Sequence, residues 1–313
     1  MKNLPEFLKA GDLVAVVCPA SFVTGALEDA HRLLESWGLR VRRGETVTTR
    51  HHQFSGTDER RAADLQAALD DPEVKLIVAA RGGYGTIRII DRLDFTKFKE
   101  RPKWLVGFSD ITVLHSHIHA NFGISTIHGQ MPTTIPDGTT ASLETLRKAL
   151  FGEELHYHYE TAPALVHANR DGKATGVLVG GNLALLHALT GSASDVDFTN
   201  KVLVIEDVGE AYYNIDRMLW TLKRAGKLDG LAGLLVGGFT SLKDDAIVPY
   251  GQTVAEMILE KVGEQNYPIA FDFPSGHIPD NHALMLGRKV ELTVSGPEVQ
   301  MHYTDTRTEN HTD

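Results

Sequence analysis

Two rhythms of apolar positions exchange along this chain, a continuous run of about five residues and a spaced stripe of helical period. Leu13–Val17 is uniformly apolar and predicts a strand; Leu27, Ala30, Leu33, Leu34 and Trp37 then recur at helical spacing until Gly38 supplies a stop. Thr57 predicts the cap of a second helix, with Asp58 and Glu59 in the first turn, where the positive end of the dipole favours them. Val74–Ala79 predicts a strand feeding Arg81-Gly82-Gly83-Tyr84-Gly85, and 104–106 a strand feeding Gly107-Phe108-Ser109 with a helix opening at Asp110. A strand at 124–127 closes the unit. Apolar runs alternating with helical periodicity predict an α/β fold with an N-terminal doubly wound, mostly parallel, Rossmann-like sheet.

Between Pro132 and Gly172 the pattern loosens around Pro136-Asp137-Gly138, Pro163 and Asn169-Arg170-Asp171-Gly172, with one helix near 143–150. The expected organisation is therefore an N-terminal domain at 1–135, a linker region at 136–172 and a smaller C-terminal α/β domain at 173–313. Strands are expected there at 175–179, 202–205, 231–236, 269–273 and 290–294. Two helices separate them, one carrying Ile215, Met218, Leu219 and Leu222 as a core stripe. The tail from Thr304 is wholly polar and predicts a frayed end.

The chemistry-bearing residues cluster at the carboxyl ends of these strands, where open α/β sheets place their sites. Ser109 stands on a strand-to-helix turn of Gly-x-Ser form, which holds a hydroxyl clear of its backbone, although Ile111 replaces the second glycine of Gly-x-Ser-x-Gly. His277 in Pro274-Ser275-Gly276-His277 is the candidate base, Glu206 after Val202-Leu203-Val204-Ile205 the candidate orienter, and the pair Gly82-Gly83 a candidate anion hole. Each has a plainer alternative: an N-cap serine, a turn histidine, a capping carboxylate beside Asp207 and Glu210, and a phosphate loop. Arg81 is the candidate holder of a substrate carboxylate, because guanidinium pairs with it bidentately, against a bracing role at the sheet edge.

Composition narrows the partners. The 313 residues are 42% hydrophobic and 23% charged, with a formal net charge of -10 and no run of Lys or Arg, which argues against nucleic acid or an anionic membrane as partner. Cys18 is the single cysteine, so no intrachain disulfide forms; no apolar leader follows Met1, and the cytoplasm is the expected compartment. Two other chemistries compete. The glycine loop lacks Gly-x-Gly-x-x-Gly spacing and follows the third strand, which counts against dinucleotide binding. His115, His117 and His119 lie on one helix, His115 and His119 at i, i+4 as zinc ligands can, but no Glu accompanies them as base. A non-catalytic protein that closes on a peptide is the third alternative.

The strings Phe54-Ser55-Gly56-Thr57-Asp58, Arg60-Arg61-Ala62-Ala63-Asp64-Leu65, Arg81-Gly82-Gly83-Tyr84-Gly85, Gly107-Phe108-Ser109-Asp110, Gly180-Gly181-Asn182-Leu183, Glu206-Asp207-Val208-Gly209-Glu210 and Asp216-Arg217-Met218-Leu219 together resemble the LD-carboxypeptidase family of serine peptidases over nearly the whole chain. The resemblance implies a Ser109, Glu206, His277 triad, Glu206 being the first acid of the family's Glu-Asp pair. It also implies an oxyanion hole made by the N–H groups of Gly83 and Asp110, no metal or other cofactor, a homodimer, and release of terminal D-alanine from muropeptide tetrapeptides in cell-wall recycling. Departures follow the base, where His277-Ile278-Pro279-Asp280-Asn281 and Leu284-Met285-Leu286-Gly287 replace the usual Gly-His-Gly or Gly-His-Glu and Leu-Pro-Leu-Gly. They bear on substrate, and the microcin-C immunity peptidases, which hydrolyse an acyl-sulfamoyl nucleotide, are the alternative branch.

Overall fold

The computed structural model describes residues 4–25 and 27–304; the polar tail beyond Thr304 lies outside the described residues. Six strands come first in the chain: β1 (Leu13–Val17), β2 (Arg40–Arg43), β3 (Val74–Ala79), β4 (Trp104–Gly107), β5 (Thr126–His128) and β6 (His156–Glu160). They are followed by β7 (Gly172–Asn182), β8 (Lys201–Val208), β9 (Gly233–Thr240), β10 (Ile269–Ala270), β11 (Leu284–Leu286), β12 (Lys289–Ser295) and β13 (Glu298–Tyr303). The first sheet has the order β11-β5-β4-β3-β1-β2, parallel except for β11, and the second β10-β9-β8-β7-β12-β13-β6. Strands β7 to β10 of the second sheet pair in parallel, and β7, β12, β13 and β6 pair antiparallel.

Helices cover the faces: α1 (Glu28–Ser36), α2 (Asp58–Asp70), α3 (Thr96–Glu100), α4 (Thr112–Phe122), α5 (Thr140–Phe151), α6 (Leu183–Leu189), α7 (Tyr212–Arg224) and α8 (Val254–Val262). Buried on both faces, β1 needs no polar alternation: Val14 and Val16 join one core, Leu13, Ala15 and Val17 the other. The Thr57 cap forms as expected, its side chain accepting from the Arg60 N–H. Strand β2, with the sequence Arg-Val-Arg-Arg, is an exposed edge whose charges discourage further pairing.

Three features differ from the expectation. The segment 136–172 is folded structure divided between the two sheets: α5 packs on β11 and holds the Leu8 N–H through the Leu150 carbonyl, while the edge strand β6, whose Tyr157 is buried against Phe273, joins the second sheet. The second sheet, expected in the smaller unit, is the wider by one strand. And β11, from the far end of the chain, completes the edge of the first sheet through Leu284, Met285 and Leu286. One apolar cluster accordingly runs from Val14, Trp104 and Ile127 through Leu284 to Leu178 and Val202, joining the two sheets in a single core.

A polar tie crosses the same seam. Gly180-Gly181-Asn182 ends β7 against the start of α4, and the Thr112 hydroxyl accepts the buried Asn182 N–H at 3.0 Å. Thr112→Val keeps the shape and orphans that donor, so it is expected to destabilise the fold by about 1–3 kcal/mol in urea denaturation, whereas Thr112→Ser stays near wild type. Equal midpoints for the two variants would show that the tie carries no weight.

Candidate active site

Strand β4 delivers Ser109 through a sharp reversal. Phe108 is extended, Ser109 takes φ 63°, and a 3-10 turn over Ser109–Ile111 leads into α4, which starts two residues later than a helix opening at Asp110 would. A left-handed backbone on a serine costs energy and persists only where its surroundings dictate it. The neighbours do so by being glycine: a Cβ on Gly82 would stand 3.2 Å from Ser109 Oγ and 3.0 Å from its Cβ, and one on Gly107 2.8 Å from the Ile111 side chain. Ile111 thus packs over Gly107 in the place where the five-residue hydrolase motif has its second glycine. The Gly107 carbonyl is fixed by Gly129 N–H at 3.2 Å and by His115 Nε2 at 2.9 Å.

Glu206 and His277 arrive from the second sheet. Side chains alternate along β8, so Glu206 and Asp207 face opposite ways. Asp207 accepts from Asn182 Nδ2, Ala184 N and Val208 N, and its burial pushes its carboxyl up to about 6. Glu210 accepts from Asn214 on α7. Glu206, fully buried, is the acid that meets the imidazole, with Oε2 2.6 Å from His277 Nδ1. A bulge makes this possible: between Ile205 and Asp207 the partner strand β9 carries one extra residue, and Gly238 N–H there donates to the Ser275 carbonyl at 2.9 Å. His277 follows two residues on, its own carbonyl held by Thr240 Oγ1 and Gly276 N–H held by Asn281 Oδ1 at 2.8 Å.

The two halves meet at Phe108, whose ring lies 4.9 Å from the His277 ring, centroid to centroid and edge-on. Among the described residues no hydrogen bond joins Ser109 Oγ to His277 Nε2; such contacts commonly close only once substrate is bound. The glycine loop lies on the other side of Ser109, Gly83 resting against Ser21 Oγ and Tyr84 N–H donating to the same oxygen. Asp110, buried, accepts Thr86 N–H at 2.8 Å through Oδ2, and burial raises its carboxyl above the usual range. Among the described residues neither Gly83 N–H nor Asp110 N–H has an acceptor within the protein. Arg81, half-buried, donates Nη1 to the Phe22 carbonyl at 2.7 Å, so part of its fork braces the loop.

The histidine row is occupied otherwise. His115 is buried between Thr126 Oγ1 and the Gly107 carbonyl, and burial lowers both His115 and His119 to about 4. Among the described residues no three His, Cys, Asp or Glu side chains converge as a metal site requires, and no helix is long and apolar enough to cross a membrane. Periodicity and strand-end position single out neither Arg61, buried beside the glycine loop, nor Asn182 and Thr112, which bridge the seam, although Arg61 and Asn182 sit inside strings that carry the family resemblance.

Fold and site define a serine-type carboxypeptidase, a hydrolase of two-sheet α/β architecture. Residues 14–129 match the LD-carboxypeptidase N-terminal domain and residues 175–292 the LD-carboxypeptidase C-terminal domain, and the chain belongs to that family. It is 37% identical over 300 residues to the probable murein peptide carboxypeptidase of Bacillus subtilis, covering 93% of this chain and 92% of the relative. It superposes on the crystal structure of muramoyltetrapeptide carboxypeptidase from Oxalobacter formigenes with a TM-score of 0.82 and 27% identity, over 95% of this chain and 100% of that one. MccF in complex with glutamyl sulfamoyl guanosine gives a TM-score of 0.83 at 19% identity, over 96% of this chain and 98% of that one, a likeness of fold alone.

The buried His115 makes the scaffold under Ser109 acid-sensitive. Its ring resists protonation in the fold, so the unfolded chain binds the proton first. The contribution to stability is complete above pH 6.5 and lost as pH falls towards about 4. His115→Gln is expected to remove about 3 kcal/mol of this pH dependence, read as the difference between variant and wild type in urea midpoints from pH 7 to pH 4. Parallel curves for the two proteins would refute it.

Proposed function

We propose that this chain is an LD-carboxypeptidase that releases terminal D-alanine from muropeptide tetrapeptides during cell-wall recycling, through an acyl-enzyme on Ser109. The observation that carries the proposal is the 2.6 Å contact of His277 Nδ1 with buried Glu206, set edge-on to the residue preceding Ser109. A carboxylate can only accept, so Nδ1 holds the proton and Nε2 is left as the base. Ser109 Oγ attacks the carbonyl of the amide that joins the L-centre of the diamino acid to D-alanine, and His277 Nε2 takes its proton. The oxyanion is received by the N–H groups of Gly83 and Asp110, each such donor being worth about 10²–10³ in rate. His277 then protonates the leaving amine, the C–N bond breaks, and water, activated by the same nitrogen, releases the acyl group from Ser109.

Glu206 fixes the tautomer and stabilises the imidazolium in a site from which water is excluded around the carboxylate. The part of the Arg81 fork not given to Phe22 is the proposed holder of the terminal carboxylate. The murein peptide carboxypeptidase named above favours this substrate at 37% identity, against the nucleotide of MccF at 19%. The same reading places the enzyme in the cytoplasm as a homodimer, in line with its family resemblance and its single buried Cys18.

Incubation with an LD-linked muramoyl tetrapeptide and, separately, with an acyl-sulfamoyl nucleotide tests the proposal by product mass. Loss of one alanine from the first is expected; cleavage of the second alone would move the chain to the immunity branch. With the tetrapeptide, Ser109→Ala and His277→Ala should each lower kcat by several orders of magnitude, and the double variant should be hardly worse than either. Glu206→Ala should cost less. Additive losses would mean that Ser109 and His277 do not act as one unit.

A further inference from the structure

The glycine loop that supplies one of the proposed oxyanion donors is held by a charge that takes no part in the chemistry. Arg61, on α2, is wholly buried, and its guanidinium is spent on backbone carbonyls. Nη1 donates to the Gly85 carbonyl at 2.8 Å and to that of Pro19, and Nε donates to that of Gly56 at 3.3 Å. Nη2 pairs with Asp58, whose carboxylate is gripped from the outside by Arg88 at 2.8 Å, while the Phe54 ring lies 4.8 Å from the Arg61 guanidinium carbon. Three segments therefore converge on one planar fork: the turn leading from Pro19 to Ser21, the turn at Gly56, and the end of the loop at Gly85. A buried guanidinium is tolerated only when its donors are satisfied, so the positions of these carbonyls are set by the fork.

The next link reaches the nucleophile. Gly85 is followed by Thr86, whose N–H is held by the buried Asp110 carboxylate at 2.8 Å, and Asp110 is the residue after Ser109. The backbone that presents Gly83 N–H and the backbone that presents Asp110 N–H are thus joined through Arg61, Gly85, Thr86 and the Asp110 side chain. Resting on the assignment of Ser109 and the two N–H donors above, we infer that Arg61 is a positioning residue that sets the spacing of the oxyanion hole, and thereby acts on the transition state and not on substrate binding. A lysine, whose three donors radiate from one nitrogen, cannot span the three carbonyls and the Asp58 carboxylate that the fork reaches from three nitrogens.

The test is Arg61→Lys assayed with the muramoyl tetrapeptide, its folding checked by circular dichroism. The expected result is a fall in kcat of about 30–100-fold with KM within about threefold of wild type. Affinity for a peptidyl phosphonate, which mimics the tetrahedral species, should fall by a similar factor, and millimolar guanidinium should restore part of the kcat of Arg61→Ala. Should Arg61→Lys fail to fold, Asp58→Asn, which leaves the arginine in place and loosens one end of the fork, reads the same quantities. Wild-type kcat and phosphonate affinity in a folded variant, or a loss confined to KM, would overturn the role given to Arg61. Turnover by Ser109→Ala would instead overturn the nucleophile assignment, so the two failures are told apart.

Discussion

The structure around the candidate site is organised by one backbone constraint, the left-handed turn at Ser109. A non-glycine residue at φ 63° relaxes unless every neighbour forbids it, and each neighbour here contributes a definite obstacle. Gly82 and Gly107 vacate the volume that the turn needs, Ile111 closes over Gly107, and the Gly107 carbonyl is bonded from both His115 and Gly129. Asp110 ties the first turn of the helix to the glycine loop. Strain is thus held by buried polar contacts whose loss would leave donors and carbonyls unpaired, at a cost comparable to the strain itself.

The second constraint is that the proposed base comes from the other sheet. Glu206 and His277 are ordered by a bulge in β9 and by the loop that Asn281 closes, while Ser109 is ordered by the first sheet. Their approach therefore depends on the seam, where a continuous apolar core, the strand β11 and the Asn182 to Thr112 bond bring the sheets into one register. Such an arrangement makes each sheet depend on the intact chain, because the first sheet lacks its edge strand without residues 284–286.

Much of this was legible in the sequence, for physical reasons that also mark where legibility ended. Strands β1 and β4 are buried on both faces and read as unbroken apolar runs, β3 is interrupted only by Lys75, and β8 is apolar over 202–205, so the residues expected at the carboxyl ends of these runs stand there, Glu206 within the last residues of β8. Edge strands gave no such signal. Arg-Val-Arg-Arg in β2 and His-Tyr-His-Tyr-Glu in β6 are polar on their open faces, and β11 is a three-residue piece whose pairing partner lies far off in sequence. Asp207 could be told from Glu206 by residue pattern only through the family resemblance; strand alternation in the folded chain separates them by direction. Arg81 shows the limit most clearly, since its bond to the Phe22 carbonyl comes from a loop that no local pattern links to it.

In the proposed mechanism a strained, half-buried serine is made nucleophilic by a histidine from the opposite sheet. Labelling with a fluorophosphonate, followed by peptide mass mapping, tests it most directly, because the reagent reports which hydroxyl is activated without requiring the natural substrate. One adduct per chain is expected, on Ser109, formed rapidly in the wild type and lost in His277→Ala. An adduct on Ser21 or Ser275, or labelling of Ser109 at the same rate without His277, would contradict it.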